Sequence, residues 1–156
     1  MNSLRRTMLK RAGGAMLATL GVASGLLHAK HAFAATWNSG AFEAKTAPDA
    51  LKQLGVPATT DSSDISFKAP DIAENGAVVP FEVTSRIRGT QSIAIVVDKN
   101  PQPLAASFTF ANGAEPTVNL RLKIGQSSNV RAIVQANGKY YATARQVKVT
   151  IGGCGG

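Results

Sequence analysis

The chain has one cysteine, Cys154, and two histidines, His28 and His31, in 156 residues. Both histidines fall in the first 34 residues, which read as a removable export signal. A chain without them cannot assemble a Ser-His-Asp or Cys-His catalytic site. It cannot hold a His-ligated zinc, copper or haem iron. One cysteine cannot form an internal disulfide. No Gly-rich phosphate loop followed by Lys-Ser/Thr occurs. Acidic residues are also missing from a long stretch, since none precedes Glu43. These absences exclude most nucleophilic, metal and nucleotide chemistry, and no cofactor is expected. Paired carboxylates stay formally open, but no motif favours them.

The acid-free stretch has the parts of a targeting segment. Arg5, Arg6, Lys10 and Arg11 form a basic opening. A weakly apolar run from Ala12 to Leu27 follows, then Ala32-Phe33-Ala34, a small-x-small cleavage signal. The run is too short and too rich in glycine for a membrane span. Leu4-Arg5-Arg6-Thr7-Met8-Leu9-Lys10 resembles the bacterial twin-arginine signal. The expectation is export to the periplasm with cleavage near Ala34. The formal charge of the whole chain is +8, but residues 1–34 carry five of its basic residues and leave +3 downstream. The high isoelectric point therefore belongs largely to the signal, and a nucleic-acid partner is not expected.

What is present downstream is strand pattern. Ile65 and Phe67 alternate with polar neighbours, as do Val79, Phe81 and Val83, with Pro80 suggesting an edge or a bulge. Ile93-Ala94-Ile95-Val96-Val97 is a continuous apolar run, as in a strand covered on both faces. Phe108 and Phe110 share a face. Val118, Leu120, Leu122 and Ile124 keep the cleanest two-residue period, and Val130, Ala132 and Val134 repeat it. Asn137-Gly138 is the favoured type I′ hairpin turn. It leads into Tyr140 and Tyr141, which as neighbours must face opposite ways, one to the core and one to the surface. One helical signal stands out: Pro48 at an early position, Ala50, Leu51 and Leu54 on one face, Gly55 as the stop. The expected fold is all-β, an immunoglobulin-like antiparallel sandwich with one short N-terminal helix. The expected boundaries are a signal over 1–34, an extension over 35–46, a sandwich over 47–151 and an arm over 152–156.

The arm is Gly152-Gly153-Cys154-Gly155-Gly156. Four glycines around one cysteine cannot stabilise a helix or strand end, so a thin, mobile tether is expected. The thiol can stand at most about 10 Å from Ile151. Nothing nearby in sequence activates it: the nearest cation, Lys148, lies six residues back. The residue pattern points to an accessible handle whose chemistry is supplied by partners. The competing readings are a thiol redox protein, weakened by the absence of a resolving cysteine, and a structural sandwich joined through an intermolecular disulfide.

Several stretches resemble the SoxY family of sulfur carriers in bacterial thiosulfate oxidation. The most specific is Val147-Lys148-Val149-Thr150-Ile151-Gly152-Gly153-Cys154-Gly155-Gly156. Ala73-Glu74-Asn75-Gly76-Ala77-Val78-Val79-Pro80 and Lys99-Asn100-Pro101-Gln102-Pro103-Leu104-Ala105 are further landmarks, and Gly138-Lys139-Tyr140-Tyr141 is a weaker one. The resemblance implies a non-enzymatic periplasmic carrier that pairs with a SoxZ-like sandwich subunit. It implies that Cys154 holds thiosulfate-derived intermediates as a covalent S–S adduct. The implied partners are a c-type cytochrome complex that attaches thiosulfate and a manganese-dependent hydrolase that releases sulfate. A molybdenum–haem dehydrogenase is an optional third.

Overall fold

The computed structural model describes residues 37–150. Among these residues two short helices precede nine strands. The helices are α1 (Ser39–Glu43) and α2 (Ala47–Gln53). The strands are β1 (Thr60–Asp61), β2 (Ile65–Lys68), β3 (Ile72–Ala73), β4 (Val79–Ser85), β5 (Thr90–Val97), β6 (Leu104–Thr109), β7 (Thr117–Leu122), β8 (Ser128–Ala136) and β9 (Lys139–Val149). The larger sheet has the order β1-β9-β8-β5-β6, with β3 also paired to β9, and the smaller has the order β2-β4-β7. β1 and β3 run parallel to β9 and every other pairing is antiparallel. The expected two-sheet sandwich is therefore the fold observed.

The main core lies between the sheets. Ile65, Phe67, Val79, Phe81, Val83 and Val118 from the smaller sheet meet Ile93, Ile95, Val97, Val130, Ala132, Val134 and Val147 from the larger. Outside the continuous run at 93–97, these are the alternating positions of the sequence. Phe67 and Phe81 approach with ring centroids 5.8 Å apart. Burying each large side chain here contributes roughly 1.5–3 kcal/mol.

A second core covers the opposite face of the larger sheet. Ala41, Ala47 and Ala50 from the helices pack with Ala94, Val96, Leu104, Ile133 and Ala142. Small residues let the helices sit close to the sheet. The continuous run at 93–97 is thus buried on both sides, as expected. The same arrangement corrects the tyrosine expectation. Tyr140 is half-buried against the second core and Tyr141 against the first, because neither face of β9 is bare at that point.

The helix boundaries follow from capping. In α2 the Thr46 side chain accepts a hydrogen bond from the Asp49 amide, and Pro48 sits in the first turn. Gly55 closes it at φ 71°. The helix α1 is an addition to the single helix expected. Asn38 caps it by accepting from the Ala41 amide at 3.0 Å and ties it to α2 by donating to the Gln53 carbonyl at 2.8 Å. Five residues are too few to show a period in sequence.

Pro80 lies in the central strand of the smaller sheet, opposite Arg121. β2 ends at Lys68, which faces Glu82, so β4 has only one neighbour at Pro80 and is locally an edge. The expected exception for proline is met within a central strand.

Candidate functional site

The tail residues Gly152, Gly153, Cys154, Gly155 and Gly156 lie outside the described residues, as do the signal over 1–34 and its cleavage point. The structure describes the platform from which the tail departs, the last residues of β9 through Thr150.

β9 pairs along its length with β8, from Ala136↔Lys139 to Ser128↔Val147. The ladder stops there, two residues before β9 does. On the other flank β3 takes up the strand, pairing Ile72↔Lys148 and Ala73↔Val149. The Lys148 amide donates to the Asp71 carbonyl at 2.9 Å, and the Thr150 amide donates to the Ala73 carbonyl at 3.1 Å. Between them, the Val149 amide points toward the missing end of β8. It donates to Ser127 Oγ at 2.9 Å. A side-chain hydroxyl here takes the place of a ladder carbonyl. Three successive amides at the base of the tail therefore each have a partner.

The landmark stretches meet at this end of the sandwich. Asn75 makes a local turn by accepting from the Ala77 amide at 2.9 Å. Gly76 follows, and its carbonyl accepts from the Ile124 amide at 2.7 Å. A side chain at 76 would place its Cβ 2.4 Å from the Ile124 carbonyl oxygen and 2.9 Å from Val149 Cγ1. Only glycine lets the 73–80 segment lie this close to the strand end. Asn100 spans the 123–125 loop, with Nδ2 donating to the Lys123 carbonyl at 2.8 Å and Oδ1 accepting from the Gly125 amide at 3.1 Å. Just before it, Asp98 Oδ1 accepts from Arg131 Nε at 2.8 Å and lies 2.7 Å from Nη2. The Lys99 amide donates to Ser128 Oγ at 3.1 Å. The turn expected at Asn75-Gly76 is present, and the Asn100 loop is fixed to the sandwich. The fourth landmark, Gly138-Lys139-Tyr140-Tyr141, lies at the far end of β9, about 34 Å from Val149.

Ser127 carried no signal in the sequence. Its hydroxyl matters because β8 begins one residue later, and only pairing shows that. The surface around this end is mixed. Ile72 is 58% and Val78 55% exposed, and among the described residues they are, with Trp37, the large apolar side chains most open to solvent. Trp37 stacks on Phe42 at 4.2 Å between centroids. Among the described residues no three His, Cys, Asp or Glu side chains gather as a metal would require. No described helix is long and apolar enough to cross a membrane.

Residues 51–154 match the family model of the sulfur oxidation protein SoxY. The chain belongs to the SoxY family. The matched span includes β1 through β9 and runs on to Cys154. Among solved structures, the sulfur carrier protein SoxY from Chlorobium limicola f thiosulfatophilum is 40% identical, with a TM-score of 0.59, covering 65% of this chain and 92% of that one. Two weaker likenesses are a chain from a structure of T-cell activation by toxic shock syndrome toxin-1 (14% identity, TM-score 0.41, 55% and 98% covered) and the human F-spondin reeler domain (8%, 0.36, 57% and 92%). No curated protein matches the sequence.

Proposed function

We propose that this SoxY-family chain is a sulfur carrier of thiosulfate oxidation, with the thiol of Cys154 as its covalent attachment point. The observation that carries the reading is the family match running from the sandwich through the chain's one cysteine. The solved SoxY with 40% identity is a sulfur carrier by description. The tied strand end five residues from Cys154 on the chain suits a body that holds out a tether.

The chemistry is then divided between the chain and its partners. Attachment of thiosulfate joins the Cys154 sulfur to the sulfane sulfur. The thiol loses its proton and two electrons leave to a c-type cytochrome complex. A manganese-dependent hydrolase uses water to break the bond between the sulfane and sulfonate sulfurs. Sulfate and a proton depart, and a persulfide stays on Cys154. A molybdenum–haem dehydrogenase is a candidate for oxidising that sulfur further. The chain itself supplies no catalytic group. The reading includes export to the periplasm after removal of residues 1–34 and pairing with a SoxZ-like sandwich subunit.

The test is intact mass of the protein purified from cells oxidising thiosulfate, with and without reductant. Adducts of added sulfur and sulfonate on Cys154, lost on reduction, are expected. Plain thiol and simple disulfide dimers alone would replace this reading with the structural or redox one.

A further inference from the structure

We propose that Ser127 and Asn100 are positioning residues for the Cys154 thiol, acting by fixing the point at which the tail leaves the sandwich. This rests on the carrier reading above. The sequence places the tether in the glycines; the structure describes the strand that leads to it as far as Thr150.

The argument begins with the shortfall in the β8 ladder. β8 and β9 are in register only as far as Ser128↔Val147. Beyond this, Lys148 and Thr150 bond to one side only, to the backbone of residues 71 and 73. A strand end held along one flank frays readily. Ser127 Oγ closes the other flank at Val149. Its hydroxyl is also 3.5 Å from the Val149 carbonyl oxygen, so one side chain addresses both polar groups of that residue.

Ser127 is useful only if its loop stays in place, and side chains from a distant loop hold it. Asn100 bonds both Lys123 and Gly125. Gln126 Nε2 reaches the Lys99 carbonyl at 3.5 Å. The Lys99–Asn100 segment is itself fixed by the Asp98–Arg131 pair. A continuous series of bonds thus runs from β8 through the β5–β6 loop to Ser127 and the end of β9. At its far end it reaches Val149 through Ser127 Oγ.

The consequence for a carrier is quantitative. With the base fixed at Thr150, Cys154 is confined within about 14 Å of it. If the base frayed back to Val147, the free length would grow from four residues to seven. Effective concentration at a fixed target falls roughly as the −3/2 power of tether length, which is about a twofold loss. The changed direction of departure adds to it. The expected total is about two- to fivefold.

The experiment titrates the full exported chain with its native partner subunit into periplasmic extract from cells lacking this chain. Thiosulfate-dependent cytochrome c reduction is the readout. Ser127→Ala should raise the half-saturating carrier concentration two- to fivefold while leaving the maximal rate nearly unchanged. Ser127→Thr, which keeps the hydroxyl, should restore it. Asn100→Asp, which loses the donor to the Lys123 carbonyl, should shift it in the same sense. Alkylation of Cys154 by iodoacetamide should proceed at the wild-type rate in all of them, because a small reagent does not depend on where the tail begins. A merely structural role lowers the folded fraction and raises the total concentration at half-saturation by the same factor, so concentrations are counted as folded carrier, from the native fraction of each preparation, and a shift that vanishes on that scale overturns the proposal. Half-saturation at the wild-type concentration for both Ser127→Ala and Asn100→Asp overturns the proposal. Cys154→Ser in the same assay separates the two levels. Turnover that survives it removes the carrier reading, whereas its loss beside normal Ser127 and Asn100 variants removes only the positioning role.

Discussion

The two ends of β9 are secured in different ways. At its start, Asn137 and Gly138 both take positive φ, 51° and 73°, and reverse the chain directly from β8 into β9. The turn needs only the two residues between the strands, and Ala136 pairs with Lys139 across it. At its finish, Val149 is held by Ser127, 22 residues away, and Lys148 and Thr150 by the 71–73 segment, more than 70 residues away. Gly76 packs against the same valine. One end is therefore closed by its own two-residue turn, and the other is assembled from distant segments. That is what a strand needs if it is begun by a hairpin and ended by a tether.

The comparison breaks most sharply at Cys154. Cys154→Ser should abolish thiosulfate-dependent cytochrome c reduction while leaving the melting temperature unchanged, because a hydroxyl is close in size to the thiol and the four glycines around it carry no side chains to pack against. A variant that retains turnover would make the finish of β9 no more functional than its start.

Gly76→Ala should come next. Its Cβ would fall 2.4 Å from a backbone oxygen that cannot rotate away, so either β9 or the 124 loop must move. Overpacking of this kind costs about 1–3 kcal/mol. Thermal unfolding should show a drop of several degrees, and amide exchange should accelerate at Val149 and Thr150. An unchanged melting temperature would mean that the 73–80 segment does not brace the strand end.

These contrasts also show where the sequence was readable. Alternation marks the core positions of β2, β4, β7 and β8, the continuous apolar run marks β5 as covered on both faces, and Asn-Gly announces its own turn. The expectation for Tyr140 and Tyr141 fails because the sequence around them does not show that a second core covers the outer face of β9. Two-residue strands such as β1 and β3 have no period to detect. The base of the tail was legible only in part. Gly76 and Asn100 sat in stretches that stood out, but their shared role is a fact of tertiary proximity. Ser127 lies in a Gln-Ser-Ser loop that could belong to any turn, and only the register of β8 gives its hydroxyl a purpose.

At the hairpin the effects should be smaller and purely thermodynamic. Gly138→Ala meets no atom within 4 Å, so its cost is the backbone alone, about 1–2 kcal/mol for an L-residue at positive φ. Chemical denaturation should show this loss, and sulfur-dependent turnover should be untouched. A fall in turnover matching that of Gly76→Ala would mean that the two ends are coupled along the strand rather than independent.

Asn137→Gly sharpens the comparison at its weakest point. Asn137 Nδ2 donates to the Arg88 carbonyl at 2.8 Å, joining this hairpin to the turn between β4 and β5. The bond is exposed, so water can replace it, and its net contribution is about 0.5 kcal/mol, at the low end for a hydrogen bond. Glycine relieves the small strain of a left-handed asparagine but makes the unfolded chain looser. These terms nearly offset, and the net change should be within about 0.5 kcal/mol. The denaturation midpoint should move slightly at constant slope. A loss well above that value would show the side-chain bond to Arg88 joining two hairpins into one unit, and the start of β9 would then depend on distant residues as its finish does.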